Sequence, residues 1–270
     1  MDLEAIRALY DRQMRVGARP DGPGSRVERD GSVVRLTGPA HAWNAVLWSG
    51  LEESDADAVI ASQVRHFTTS GRTFEWKVYG HDRPADLPER LLAAGFTAED
   101  QETLMVAEAA ALPTAVALPE GVELVEVTDA AGVRMVTEVH DRAFGGDSSR
   151  IGRQLLDQLA VTPDSVAAVV ALAGDEPVSA ARLELYPGTD FAGLWGGGTV
   201  ESWRGRGLYR ALVAFRTRIA VERGHRFVQV DAADTSRPIL QRLGFAALTT
   251  TTPYVYVPEG ASAGESAQPA

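Results

Sequence analysis

The chain has 270 residues, 45% hydrophobic and 23% charged, enough for one large core or two ordinary ones. A formal charge of −11, with Lys77 the only lysine, argues against a nucleic-acid partner, which needs arrays of cations. Cysteine is absent, excluding disulfides and thiol nucleophiles, and the longest apolar run, VAAVVALA at 166–173, is too short for a membrane span.

The opening MDLEAIRALYDRQMR is charged throughout and lacks the apolar stretch of a secretory signal, so a cytoplasmic protein without membrane contact is expected. Short strands near 26–36 lead to AWNAVLWSG at 42–50, a further strand. Asp55–Phe67 reads as a helix with Ile60, Val64 and Phe67 on one face. TFEWKVYG is a strand, DLPERLLAAGF a helix ending at Gly95, and ETLMVAEA another strand. LPTAVALPEG at 112–121 has the prolines and glycine of a linker.

Beyond it, VELVEV at 122–127 alternates as a strand. Thr128–Phe144 carries Val133, Val136, Val139 and Ala143 at helical spacing, and a shorter helix follows at about 150–160. SVAAVVAL, VSAARLELY and FAGLWGGGTV read as three strands. A helix with Leu208, Leu212, Phe215 and Ile219 comes next, then the strand FVQVDA at 227–232. RPILQRLGF forms a short helix closed by Gly244, and TTTTPYVYV a last β segment. The tail at 258–270 has no periodicity and reads as disordered. The order of elements repeats, ERLLAAGF matching LQRLGF. This predicts a mixed α/β fold, a central sheet flanked by helices, in two similar domains: 1–112 and 121–257, joined by 113–120.

The most informative stretch is WRGRGLYRAL at 203–212. Two glycines are a costly way to start a helix. Between a strand end and a helix start, however, they let a ligand approach a row of unpaired N–H groups. The helix dipole makes that spot a phosphate site. The segment 204–226 holds seven arginines against one acid, Glu222. A Walker A loop is excluded, lacking Gly-Lys-Ser/Thr. A dinucleotide fingerprint is a closer rival: Gly205 and Gly207 match its start and Asp231 ends a strand 24 residues on. Its third glycine falls on Arg210, and too little chain follows to finish a doubly wound sheet.

Arg204-Gly205-Arg206-Gly207-Leu208-Tyr209, with its flanking strands and the Leu-Gly-Phe at 243–245, resembles the acyl-CoA signature of the GNAT superfamily of N-acetyltransferases. The resemblance covers about 121–257; the first half looks like a degenerate tandem copy. It implies transfer of an acetyl group from acetyl-CoA, a co-substrate, to an amine of a small molecule or peptide, with no metal. It implies that Gly198, Thr199 and Val200 pair with the pantetheine arm and that Arg204, Gly205, Arg206, Gly207, Leu208 and Tyr209 hold the pyrophosphate. Gly196–Gly198 would form the bulge that parts the central strands, and Ser236 or Asp234 would reach the cofactor. Trp195 and Trp203 flank this cleft.

The resemblance is incomplete where the chemistry lies. The signature's last Gly/Ala is Tyr209, the usual general-acid tyrosine is Leu240, and a strand position that supplies a glutamate base in some members is Gly193. Glu184, Glu201, Asp231 and Tyr254 are the remaining proton-transfer candidates. A non-catalytic acyl-CoA sensor and a dinucleotide oxidoreductase therefore stay as alternatives. The five histidines (41, 66, 81, 140, 225) show no ligand spacing and read as surface or core-edge residues. In the first half the corresponding turn reads SGLEESDADA, whose Glu52, Glu53, Asp55 and Asp57 repel phosphate, so no acyl-CoA is expected to bind there.

Overall fold

The computed structural model describes residues 1–20, 22–39 and 42–260; His41 and the tail from 261 lie outside the described residues. In chain order the first half runs α1 (Leu3–Tyr10), β1 (Arg26–Asp30), β2 (Val33–Thr37), β3 (Ala45–Ser49), α2 (Ala56–Thr69), β4 (Phe74–Tyr79), α3 (Leu87–Ala93), β5 (Thr97–Ala98) and β6 (Glu102–Glu108). The second runs β7 (Val122–Val127), α4 (Ala130–Phe144), α5 (Ser149–Val161), β8 (Val166–Ala173), β9 (Glu176–Leu185) and β10 (Phe191–Thr199). It ends with α6 (Leu208–Glu222), β11 (Phe227–Ala232), α7 (Arg237–Leu243) and β12 (Ala246–Tyr256). Residues 113–120 carry no helix or strand.

The chain divides into two units, but not at that linker. Among the described residues, Met1–Leu104 packs with 247–260, and Met105–Ala246 forms the other unit. Each half thus lends a strand to the other's unit: β12 pairs with β4 in the first, and the end of β6 lies beside β11 in the second. The contact boundaries fall within β6 and before β12, and the linker marks a break in regular structure.

The first unit orders its strands β1-β2-β3-β4-β12, all antiparallel neighbours except β3 and β4. Its core is aromatic: Phe67 of α2 stacks on Phe74 at 4.1 Å, and Phe96 meets Phe74 edge-on. The N-terminal α1, capped by Asp2 Oδ1 accepting from the Ala5 amide, continues through a wider-wound turn, Asp11–Val16. The sequence reading did not place this helix.

The second unit is the meander β7-β8-β9-β10, antiparallel throughout, with β11 added parallel to β10. α4 starts where Asp129 Oδ1 takes the amides of Ala131 and Gly132. Its buried Val133, Val136 and Val139 pack with Leu155 of α5 on one sheet face; α6 and Leu240 of α7 cover the other. One parallel pair among antiparallel strands is not a doubly wound sheet, which removes the architecture a dinucleotide oxidoreductase needs. Among the described residues no helix is long and apolar enough to cross a membrane.

Phe67 is fully buried, so Phe67→Ala should cost about 3–5 kcal/mol, measured as a lower urea midpoint at unchanged slope.

Candidate functional site

The site is built on strands that separate. β10 and β11 pair only at Phe191, Ala192 and Gly193, opposite Phe227, Val228 and Gln229. Beyond that point β10 continues to Thr199 and β11 to Ala232 without pairing to each other. Register on β9 slips between Trp195 and Gly198, a bulge where the sequence has Gly196–Gly198. A cleft of about 720 Å³ opens at this parting. Arg204, Arg210 and Arg242 line it and no carboxylate does, in a chain whose net charge is −11.

Between β10 and α6 the chain makes one 3-10 turn, Glu201–Trp203, and then crosses Gly205 and Gly207 at φ +76° and +88°. Only glycine holds such angles without strain. A Cβ at Gly205 would meet nothing within 4 Å, so its amide is approachable. Gly207 caps α6 with no side-chain acceptor bound to its first turn, leaving the amides of that turn for a ligand. The Arg204 amide is already bonded to Glu201 O at 3.1 Å. The Arg204 guanidinium, which the resemblance assigns to the pyrophosphate, donates to Thr199 O at 3.1 Å and Ala143 O at 3.0 Å. Arg204 thus adds no free amide to the turn. Arg206 lies over the Trp203 ring at 4.5 Å.

Gly198 O accepts from Ser179 Oγ at 2.7 Å and the Val200 amide donates to Val178 O at 3.0 Å. Both therefore face β9, so alternation turns the Thr199 backbone into the cleft. Leu208 is a core residue, packed with Ala171 and Val178. Tyr209 turns its ring under the bulge, 3.2 Å from where a Cβ on Gly197 would stand; burial pushes its phenol up, against the pull of Arg216. Ser236 lines the cleft but its hydroxyl donates to Ala233 O, and Asp234 pairs with Arg237 at 3.2 Å.

Two residues beneath the cleft escaped the sequence reading. His140, 1% exposed and not at the core edge, bonds through Nε2 to Gly196 O at 2.8 Å. Arg216, also 1% exposed, donates Nη1 to Trp195 O and Arg182 O, and Nε to Leu212 O. Burial pushes its guanidinium down to about 10, with Tyr209 acting the other way; it remains a cation at neutral pH. His140 follows Val133 and Val136 at spacings of three and four, the one signal that it faces inward.

Of the proton-transfer candidates, Glu184 lies on β9 opposite Gly193, and Asp231 is buried near the end of β11. Glu201 is exposed in the 3-10 turn. Tyr254 sits in the first unit, packed among Trp76, Leu87 and Phe96, and does not line the cleft. Leu240 is fully buried. Among the described residues no cluster of three metal-ligating side chains occurs.

Residues 133–245 match the model of the acetyltransferase (GNAT) family. They form a GNAT domain. No curated protein matches the sequence. Solved structures extend the likeness of fold to nearly the whole chain. A GCN5-related N-acetyltransferase from Kribbella flavida is 20% identical, with TM-score 0.70 and 96% of each chain covered. One from Sphaerobacter thermophilus is 13% identical, with TM-score 0.61, 88% of this chain and 85% of that one. A tandem GNAT protein from the clavulanic acid biosynthesis pathway is 14% identical, with TM-score 0.59, 94% of this chain and 95% of that one.

The first unit has a matching parallel pair, β3 and β4, joined only at Ala45–Glu75 and Val46–Trp76. Here the space is filled. Arg15, 2% exposed, donates Nε to Leu47 O, the residue just past the pairing, and Nη2 to both oxygens of Asp82 at 2.8 and 2.7 Å. Its guanidinium lies 3.8 Å over the Tyr79 ring, and Nη1 reaches Asp11 at 2.9 Å. The turn after β3 supplies its own anion, the Glu52 amide donating to Asp55 Oδ1 at 2.9 Å. Two outcomes follow from this contrast with the GNAT domain. Calorimetric titration of the full chain with acetyl-CoA should give one site per chain; two would refute the reading. Burial works to raise the Asp11 carboxyl, yet His81 and Arg15 outweigh it and hold it below the ordinary 3.8. A depressed native value adds stability above that pH and loses it as pH falls. Asp11→Asn should therefore flatten the stability curve below about pH 4 in urea titrations.

Proposed function

We propose that the chain is an N-acyltransferase that moves the acetyl group of acetyl-CoA onto a primary amine of a small molecule or peptide. Its GNAT domain is the working half, and the first unit a copy that has lost the cofactor site. The observation that carries the reading is the unobstructed glycine turn at the mouth of the parted strands, cationic in an acidic protein. A diphosphate fits it on three counts: free first-turn amides, a helix dipole and arginines without neighbouring carboxylates. Thr199 offers an edge for the amide-rich pantetheine arm, and Phe144 and Ile239 offer apolar cover.

In such a reaction the amine nitrogen attacks the thioester carbonyl, the C–S bond breaks and the thiolate leaves. Positioning supplies much of the acceleration. Here the bulge is fixed through two of its carbonyls, Trp195 to Arg216 and Gly196 to His140. The buried Arg216 cation sets a positive potential under the strand where negative charge develops. The acidic surface favours a cationic acceptor. Leu240 and Gly193 supply no acid or base, which is what a cofactor-binding sensor would also show. Release of free thiol that depends on added amine separates the two.

Gly207→Asp should abolish acetyl-CoA binding, at least 100-fold in Kd, by placing a carboxylate in the cradle. The fold should persist, because aspartate tolerates a left-handed angle at a cost of about 1 kcal/mol. Unchanged affinity in calorimetry would count against the site.

A further inference from the structure

On the face of the β9–β10–β11 sheet turned away from α6, a polar cluster follows the stacked, buried pair Phe191 and Phe227. Leu183, Leu194 and Val228 point into the α6 core, so by alternation Glu184, Gly193, Trp195 and Gln229 share the opposite face. Register sets Glu184 directly across from Gly193 on one side and Gln229 beside it on the other. A Cβ on Gly193 would stand 2.5 Å from Trp195 Nε1, 2.9 Å from Gln229 Nε2 and 3.0 Å from the Tyr186 hydroxyl. The missing side chain is thus the space in which three polar groups converge.

They form a directed chain. Trp195 Nε1 donates to the Tyr186 oxygen at 3.3 Å, and Tyr186 donates to Glu184 Oε2 at 2.9 Å. Arg182 Nε stands 3.3 Å from Glu184 Oε1, and the Glu184 side chain is 14% exposed. Gln229, 2% exposed, has an Oε1 with no hydrogen-bond partner. A buried acceptor left unpaired is costly, and an N–H group of a bound molecule would pair it.

Resting on the transferase reading above, we propose that this cluster is the amine subsite. Gln229 Oε1 accepts an N–H of a primary alkylammonium, and Glu184, reached through the Tyr186 hydroxyl, takes the proton it sheds before attack. That proton passes to the Tyr186 oxygen while the Tyr186 proton passes to Glu184, which returns it to solvent. The neutral amine then attacks, the C–S bonding pair leaves on sulfur, and the thiolate takes the second N–H proton through water. The sum is alkylammonium plus thioester giving amide, thiol and a proton in solvent.

The test uses the full chain, acetyl-CoA and a panel of alkyl mono- and diamines, followed by thiol release. Glu184→Gln should lower kcat about 100-fold on the best alkylamine, the scale of general-base catalysis. Its acetyl-CoA Kd should stay within about twofold of wild type. Tyr186→Phe should lose about tenfold, and Glu184→Asp should recover part of the loss. With hydroxylamine, already neutral at pH 7, Glu184→Gln should lose less than about tenfold, because less proton removal is asked of the protein. Equal losses on both substrates, or an unaffected kcat, would overturn the assignment of Glu184 while leaving the transferase reading standing. Tight acetyl-CoA binding with no turnover of any amine by the wild type would sink both.

Discussion

The parting of β10 from β11 after Gly193 is the constraint from which the rest follows. Strands left unpaired expose amides and carbonyls that must find partners. Here the bulge carbonyls are satisfied from two sides: His140 reaches Gly196 from α4, and Arg216 reaches Trp195 from α6. A buried guanidinium bonded only to carbonyls is an expensive device. It makes sense as a splint that keeps the gap open without any ligand in it. The glycine turn then stands at the mouth of a preformed slot.

The two units resolve the same geometric problem in opposite ways. Both part a parallel pair after two or three residues of contact. In the second, the gap ends in amides without side-chain acceptors. In the first, Arg15 supplies the donors, Asp82 and Asp11 the counter-charge, and Asp55 accepts from the Glu52 amide in the turn before α2. The space beside the parted pair of the first unit is thus filled by Arg15, a side chain from α1's continuation.

Local features were legible in the sequence. The glycine pair, the acid-rich turn at 52–57 and the alternating strands of the second half describe short-range chemistry, and the structure follows them. Features set by distant contacts were not legible. Arg216 is one of seven arginines in a short segment, and nothing within a few residues tells that Trp195 and Arg182 offer it carbonyls. The bonds of Arg204 to Thr199 and Ala143 leave no local sign for the same reason. The N-terminal helix has a plain pattern, Ile6 and Tyr10 inward, but its role depends on Leu47 and Asp82, far along the chain. Tyr254 was a chemically sensible acid candidate, and only the topology shows that β12 carries it into the other unit's core.

The exchange of β6 and β12 bears on biogenesis. A ribosome releases Met1–Leu104 long before the strand that borders β4, so the early unit waits with an unpaired edge while the later one is made. Such an edge invites wrong pairings. A premature stop near residue 246 would accordingly harm the beginning of the protein more than its end.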